Sequence, residues 1–158
     1  MTDIFASIEG SGLAAWTRES PSIWAYPTIL TLHTFGLAIV VGANVVVDAR
    51  LLGFASRIPL AALRPLFPVM WCAFALNFMT GLLLFMADAT TRAGQRVFYV
   101  KLALIALALL ATRSVGKHLS QQDYPMGGPV AANLRITAFL SLLLWSGAVV
   151  AGRLLAYL

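Results

Sequence analysis

The sequence predicts an all-α integral membrane protein, a four-helix bundle with a short interfacial helix at its N-terminus, and three observations carry that expectation. Of 158 residues, 60% are hydrophobic and only 11% are charged, a balance well outside that of soluble domains, and the mean hydropathy is +0.86. The apolar residues gather into four runs, at about residues 23–47, 67–87, 97–115 and 136–158, each close to the roughly 20 residues that a membrane-crossing helix needs. Between the runs lie stretches that carry charge together with Gly, Pro, Ser or Asn, so consecutive helices are expected to run antiparallel and residues 1–158 to form a single transmembrane domain.

Residues 1–20 place Ile4, Phe5, Ile8, Leu13 and Trp16 among small and acidic residues, the pattern of an amphipathic segment lying at the membrane surface. Asp3 and Glu9 occupy the place where a cleaved signal peptide would be basic and then apolar, so the mature chain is expected to start near Met1. Ser20-Pro21 reads as a helix start, because serine caps free N–H groups and proline in the first turn loses no bond. Trp24 and Tyr26 are suited to anchoring at headgroup level. Pro59, Pro65 and Pro68 limit the first connection to a short surface turn, and Pro125-Met126-Gly127-Gly128-Pro129 breaks the third.

Composition also excludes function classes. The single cysteine, Cys72, cannot form an intrachain disulfide and reads as a small buried hydrophobe. The net charge of +5 comes from residues flanking the apolar runs, so it signals topology and not nucleic-acid binding. Arg50, Arg57, Arg64, Arg113, Lys117 and Arg135 fall on one side, against Arg18, Arg92 and Arg96 on the other. That bias places both termini on the periplasmic side of a bacterial inner membrane. No G-x-S-x-G, P-loop, HExxH or same-face carboxylate pair is present, and no independent catalytic activity is expected.

Polar groups at membrane depth mark the candidate site. Between Pro27 and Val47 the only ionisable side chain is His33, and an imidazole in that setting is costly enough to imply a role. Counting along alternating helices puts His33, Lys101, Arg153, Asn77, Met79 and Thr80 in one band of the outer leaflet, at about 1.5 Å of rise per residue. His33, Gly36, Val40 and Asn44 share one helical face, Asn77, Thr80, Gly81, Leu84 and Asp88 another, and Ser146 with Arg153 a third. Bland roles compete with functional ones. His33 could bond a neighbouring carbonyl or threonine, ligate a cofactor or transfer protons. Lys101 and Arg153 could snorkel to headgroups. Asp48 and Arg50 read as a structural ion pair or interface anchor, Trp71 and Trp145 as packing residues, and His118 as a solvated loop histidine.

The run Glu19-Ser20-Pro21-Ser22-Ile23-Trp24-Ala25-Tyr26-Pro27, then Leu32-His33-Thr34-Phe35-Gly36-Leu37-Ala38 and Val47-Asp48-Ala49-Arg50-Leu51-Leu52-Gly53, resembles an uncharacterised bacterial family of small four-helix inner-membrane proteins. Thr80-Gly81-Leu82-Leu83-Leu84-Phe85, Lys101-Leu102-Ala103-Leu104, Ser141-Leu142-Leu143-Leu144-Trp145 and Gly152-Arg153-Leu154-Leu155-Ala156-Tyr157 extend the likeness over nearly the whole chain. The chain departs from it at Ala111-Thr112 and Gly116-Lys117-His118, where the family pattern carries an Asn and then a Phe-His pair. The resemblance implies a membrane fold and assigns no activity.

More distantly, the histidine-bearing bundle is similar to copper-resistance D-type proteins and membrane b-type cytochromes, which is an analogy of fold. It implies haem b, with His33 as the metal ligand, Lys101 and Arg153 paired to the propionates, Asn77 nearby, and Met79, Met86, another subunit or nothing as sixth ligand. The expected function is electron transfer near the outer face by a homo-oligomer in the lipid bilayer, with a redox partner or quinone. Two other readings stand beside it: a transport or accessory subunit with a His/Lys/Arg anion or proton path, and a structural subunit of a larger membrane complex.

Overall fold

A computed structural model describes residues 2–121 and 130–157, which are helical with no strands. Four helices are long and apolar enough to cross a membrane: α3 (Tyr26–Leu52), α4 (Leu66–Ala87), α6 (Arg96–Gln121) and α7 (Ala132–Leu154). The 27 residues of α3 span about 40 Å at about 1.5 Å each, more than the roughly 30 Å of a bilayer's hydrocarbon core. Three short helices, α1 (Thr2–Glu9), α2 (Gly12–Glu19) and α5 (Ala89–Gly94), gather at the end of the bundle where α3 and α6 begin. We call this the cap end, and the opposite one, marked by a 3₁₀ turn at Leu60–Leu63, the turn end.

Local chemistry moves several boundaries. Ser20-Pro21 does not start a helix: the Ser20 and Ser22 hydroxyls accept from the Ser22 and Trp24 N–H groups at 3.3 and 3.2 Å, a side-chain bonding pattern that favours turns. Pro27 takes the first-turn position instead. At the other end Gly53, with φ 108°, gives α3 the left-handed stop that a side chain would disfavour. Helix α6 runs on to Gln121, which puts His118, expected in a loop, half-buried inside the helix. The proline-bounded break at 125–129 lies outside the described residues. The turn between Pro59 and Pro65 is short as expected, yet Leu60 and Leu63 are buried, so it folds under the bundle instead of lying on its surface. Cys72 is exposed, not buried.

Helix α3 packs on α4 and α7, and α6 packs on α7. Gly36 faces Ala73 and Asn77 while His33 reaches on to Gly81, and Leu104 meets Gly147 while Lys101 meets Gly152, so both pairs are antiparallel. Helices α4 and α6 meet through side chains, Phe85 stacked on Phe98 at 5.1 Å near the cap end and Phe67 against Gly116 near the turn end. The N-terminal helices do more than lie flat: Phe5 meets Phe85 edge-on at 6.2 Å, and Glu9 accepts from the Thr90 backbone at 2.9 Å and from its hydroxyl. Ile4, Leu13, Trp16, Ile23 and Trp24 stay exposed around this cap, as an apolar belt at a membrane interface would.

The arginines read as topology signals also have a structural use. Each long helix ends with a carbonyl that accepts from an arginine of another element: Leu52 from Arg135 at 3.3 Å, Ala87 from Arg18 at 3.2 Å, Leu119 from Arg64 at 2.8 Å, and Leu155 from Arg92. A cation at a helix C-terminus satisfies an otherwise open carbonyl and opposes the negative end of the helix dipole.

Candidate functional site

His33 sits about 10 Å below the start of α3, at about 1.5 Å per residue, and turns its ring toward α4. Small residues make the slot. A β-carbon on Gly81 would lie 3.0 Å from His33 Cε1, and one on Gly36 would lie 3.1 Å from the Ala73 carbonyl and from Asn77 Cβ. Across this seam the Asn77 amide donates to the His33 carbonyl at 2.6 Å. His33 Nδ1 lies 3.0 Å from the Asn77 carbonyl oxygen and 3.1 Å from Thr80 Oγ1.

These partners decide the tautomer. A carbonyl oxygen only accepts, and the Thr80 hydroxyl already donates to Leu76 O at 2.7 Å, so Nδ1 must carry the hydrogen. In the neutral ring Nε2 is then left with its lone pair, and Nε2 makes no hydrogen bond among the described residues. An Nδ1–H fixed on a backbone carbonyl is the arrangement that orients a histidine as a metal ligand and raises its basicity.

Lys101 approaches from α6, within electrostatic reach of His33. Gly152 of α7 gives it room, since a β-carbon there would sit 3.4 Å from Lys101 Cε and 3.6 Å from Nζ. Lys101 is half-buried and has no ion pair or hydrogen bond among the described residues. His33, Asn77, Thr80 and Lys101 are thus brought together.

Two expected members are not. Met79 is 59% exposed, on the outward face of α4, because it is one position off the face shared by Asn77, Thr80 and Gly81. Arg153 is exposed with Ser146 on the outward face of α7. The arginine that enters this region is Arg92, paired with Asp88 at 3.0 Å and bonded to Leu155 O, and its charge is felt at Lys101. Sequence reading missed it because it belongs to the short helix α5, which was expected to be loop.

A second polar layer lies toward the turn end. Asn44 donates to Val40 O at 2.9 Å and accepts from the Thr112 hydroxyl at 2.7 Å. One turn further, Asp48 is 1% exposed and faces Ser141 of α7. It makes no pair with Arg50, whose guanidinium donates to the Ile58 and Ser56 carbonyls at 2.6 and 3.0 Å, so the expected ion pair gives way to a loop-bracing arginine and a lone buried acid. Asp48 Oδ2, Ser141 Oγ and Trp145 Nε1 are buried without hydrogen-bond partners among the described residues. Trp145 packs with Val40, Ala73 and Ala108, as expected. The signal for this polar layer was present in the i, i+4 spacing of Asn44 with Asp48.

Among the described residues no group of three or more His, Cys, Asp or Glu side chains is placed to hold a metal ion. A pocket of about 220 Å³ between Phe67 and Trp71 of α4 and Arg113 and Lys117 of α6 lies toward the turn end, away from His33. No protein-family model, curated protein or solved structure matches this chain, so the chemistry of the site rests on its own geometry.

Proposed function

We propose that the chain is a b-type haem protein of the bacterial inner membrane, with both termini periplasmic, in which His33 ligates the iron and electrons pass near the outer face. The observation that carries this reading is the fixed Nδ1–H to Asn77 O contact, which leaves Nε2 free to coordinate. Lys101, without a carboxylate partner among the described residues, fits a propionate that would otherwise be an unpaired anion at membrane depth. Haem, when bound, would supply one-electron transfer. The chain's own part is to orient His33 through Asn77 and Thr80 and to place a cation beside it. With Met79 facing outward, a sixth ligand from that residue would require another copy, which favours a homo-oligomer. A redox partner or quinone would meet the cap end.

The test is an absorption spectrum of haem-supplied, detergent-purified protein, oxidised and reduced. A Soret band in the wild type that disappears in His33→Ala at unchanged melting temperature supports the assignment. A wild type without the band, or a His33→Ala protein that keeps it in full, refutes it.

A second reading is favoured by the same unpaired Lys101: an anion path through a transport subunit. Solute flux in liposomes that vanishes in Lys101→Met, from protein without a haem spectrum, would select it.

A further inference from the structure

We propose that Asp48 and Ser141 form a second functional site, a proton-binding site enclosed in the bundle. The proposal is independent of haem and uses none of the residues around His33.

Asp48 is 1% exposed and Ser141 0%, and the Ser141 hydroxyl faces the carboxyl where α3 packs on α7. A hydroxyl can accept from a protonated carboxyl or donate to an ionised one, so it suits either state.

Among the described residues no charge stands opposite the carboxyl. Arg50 on its own helix is engaged by Ile58 O and Ser56 O, Arg135 of α7 by Leu52 O, Arg113 of α6 is exposed, and α4 brings the apolar Met70 and Ala73 to this half of the core. A proton is the ligand that removes the cost of an unpaired carboxylate in such a place, and intramembrane acids mark proton sites for that reason. Apolar layers close both sides, Val40, Ala73, Ala108 and Trp145 toward the cap end and Leu51, Leu60, Leu63 and Leu134 toward the turn end. The site is occluded, and exchange with the turn-end solvent requires the Leu60–Leu63 turn to shift.

Dicyclohexylcarbodiimide, an apolar reagent that adds to the protonated acid by taking up its hydrogen on nitrogen, reads the site in the full purified chain. Labelled peptides are mapped by mass spectrometry across a pH series. The expected result is an adduct on Asp48 at neutral pH that falls away in alkali and is absent in Asp48→Asn. Ser141→Ala, checked for an unchanged melting temperature, should shift the midpoint of labelling by about half a pH unit or more, the size of one lost hydrogen bond. The proposal is overturned if Asp48 never labels while other carboxyls do, or if Ser141→Ala leaves the midpoint where it was. Protection by sodium at fixed pH and ionic strength also overturns it, in favour of a metal-cation site.

Discussion

The two polar layers solve the same problem in opposite ways. Around His33 every buried donor on the α3–α4 seam has a partner, and the one nitrogen left over, Nε2, is left by the tautomer that its neighbours enforce. Around Asp48 a buried carboxyl faces the Ser141 hydroxyl with no cation paired to it among the described residues. A satisfied network adds stability that is lost when a member is removed, whereas an unsatisfied group costs about 1–3 kcal/mol that its removal returns. The first layer is thus built to hold one orientation, and the second tolerates a stability cost in a place where packing alone would favour an apolar residue.

The sharpest break in that contrast comes from the seam. Gly36→Val would push a branched side chain onto the Ala73 carbonyl and Asn77, atoms of a helix backbone that cannot step aside. We expect a loss of about 1–3 kcal/mol, the usual cost of overpacking, and loss of the fixed His33 orientation, measured as a lowered melting temperature in detergent together with altered imidazole signals. A smaller pair of changes sets the layers directly against each other. Asn77→Leu should destabilise by about 1 kcal/mol, the scale of a hydrogen bond between membrane helices, while Asp48→Asn, of nearly equal volume, should leave stability unchanged or raise it. Melting curves that fell equally for both would erase the distinction.

Much of this architecture is legible in the sequence because it depends on length and polarity. Four apolar runs become four long helices, and the face containing His33, Gly36, Val40 and Asn44 does turn inward. What failed to read through depends on one residue's rotation or on long-range pairing. Met79 and Arg153 lie at the right height but on outward faces, since height fixes depth and says nothing of azimuth. Asp48 and Arg50 look like a pair at i, i+2, yet helical geometry points them apart, and Arg50 finds carbonyls of its own loop. The arginine caps could not be foreseen because each links elements whose contact only the fold creates.

The caps offer a milder test. Arg135→Met removes the cation from the α3 C-terminus and Arg18→Met the one from α4, and each should lower the melting temperature slightly, less as salt is added. Stability that ignores both changes would reduce these contacts to incidental ones.

The smallest effect concerns acid. Glu9 is held below the usual carboxylate range, first by the Thr90 hydroxyl and then by the Thr90 N–H, against an opposing effect of burial, with the Arg18 charge adding the least. Its folded value lies below its unfolded one, so the stabilisation is present above the ordinary carboxylate range and is lost as the pH falls through the lowered value. Trp16 fluorescence should report loosening of α1 and α2 from α5 in that acid window, and Glu9→Gln should flatten the transition.

The orientation of His33 can be measured without any ligand. In protein carrying ¹⁵N-labelled histidine, with His118→Gln to leave one imidazole in the described core, the nitrogen spectrum at neutral pH should show a protonated Nδ1 and a bare Nε2, with the Nε2 signal displaced when haem is added. A protonated Nε2 with a bare Nδ1 would contradict the account, because His33 would then present a hydrogen where the proposed haem ligation needs a lone pair.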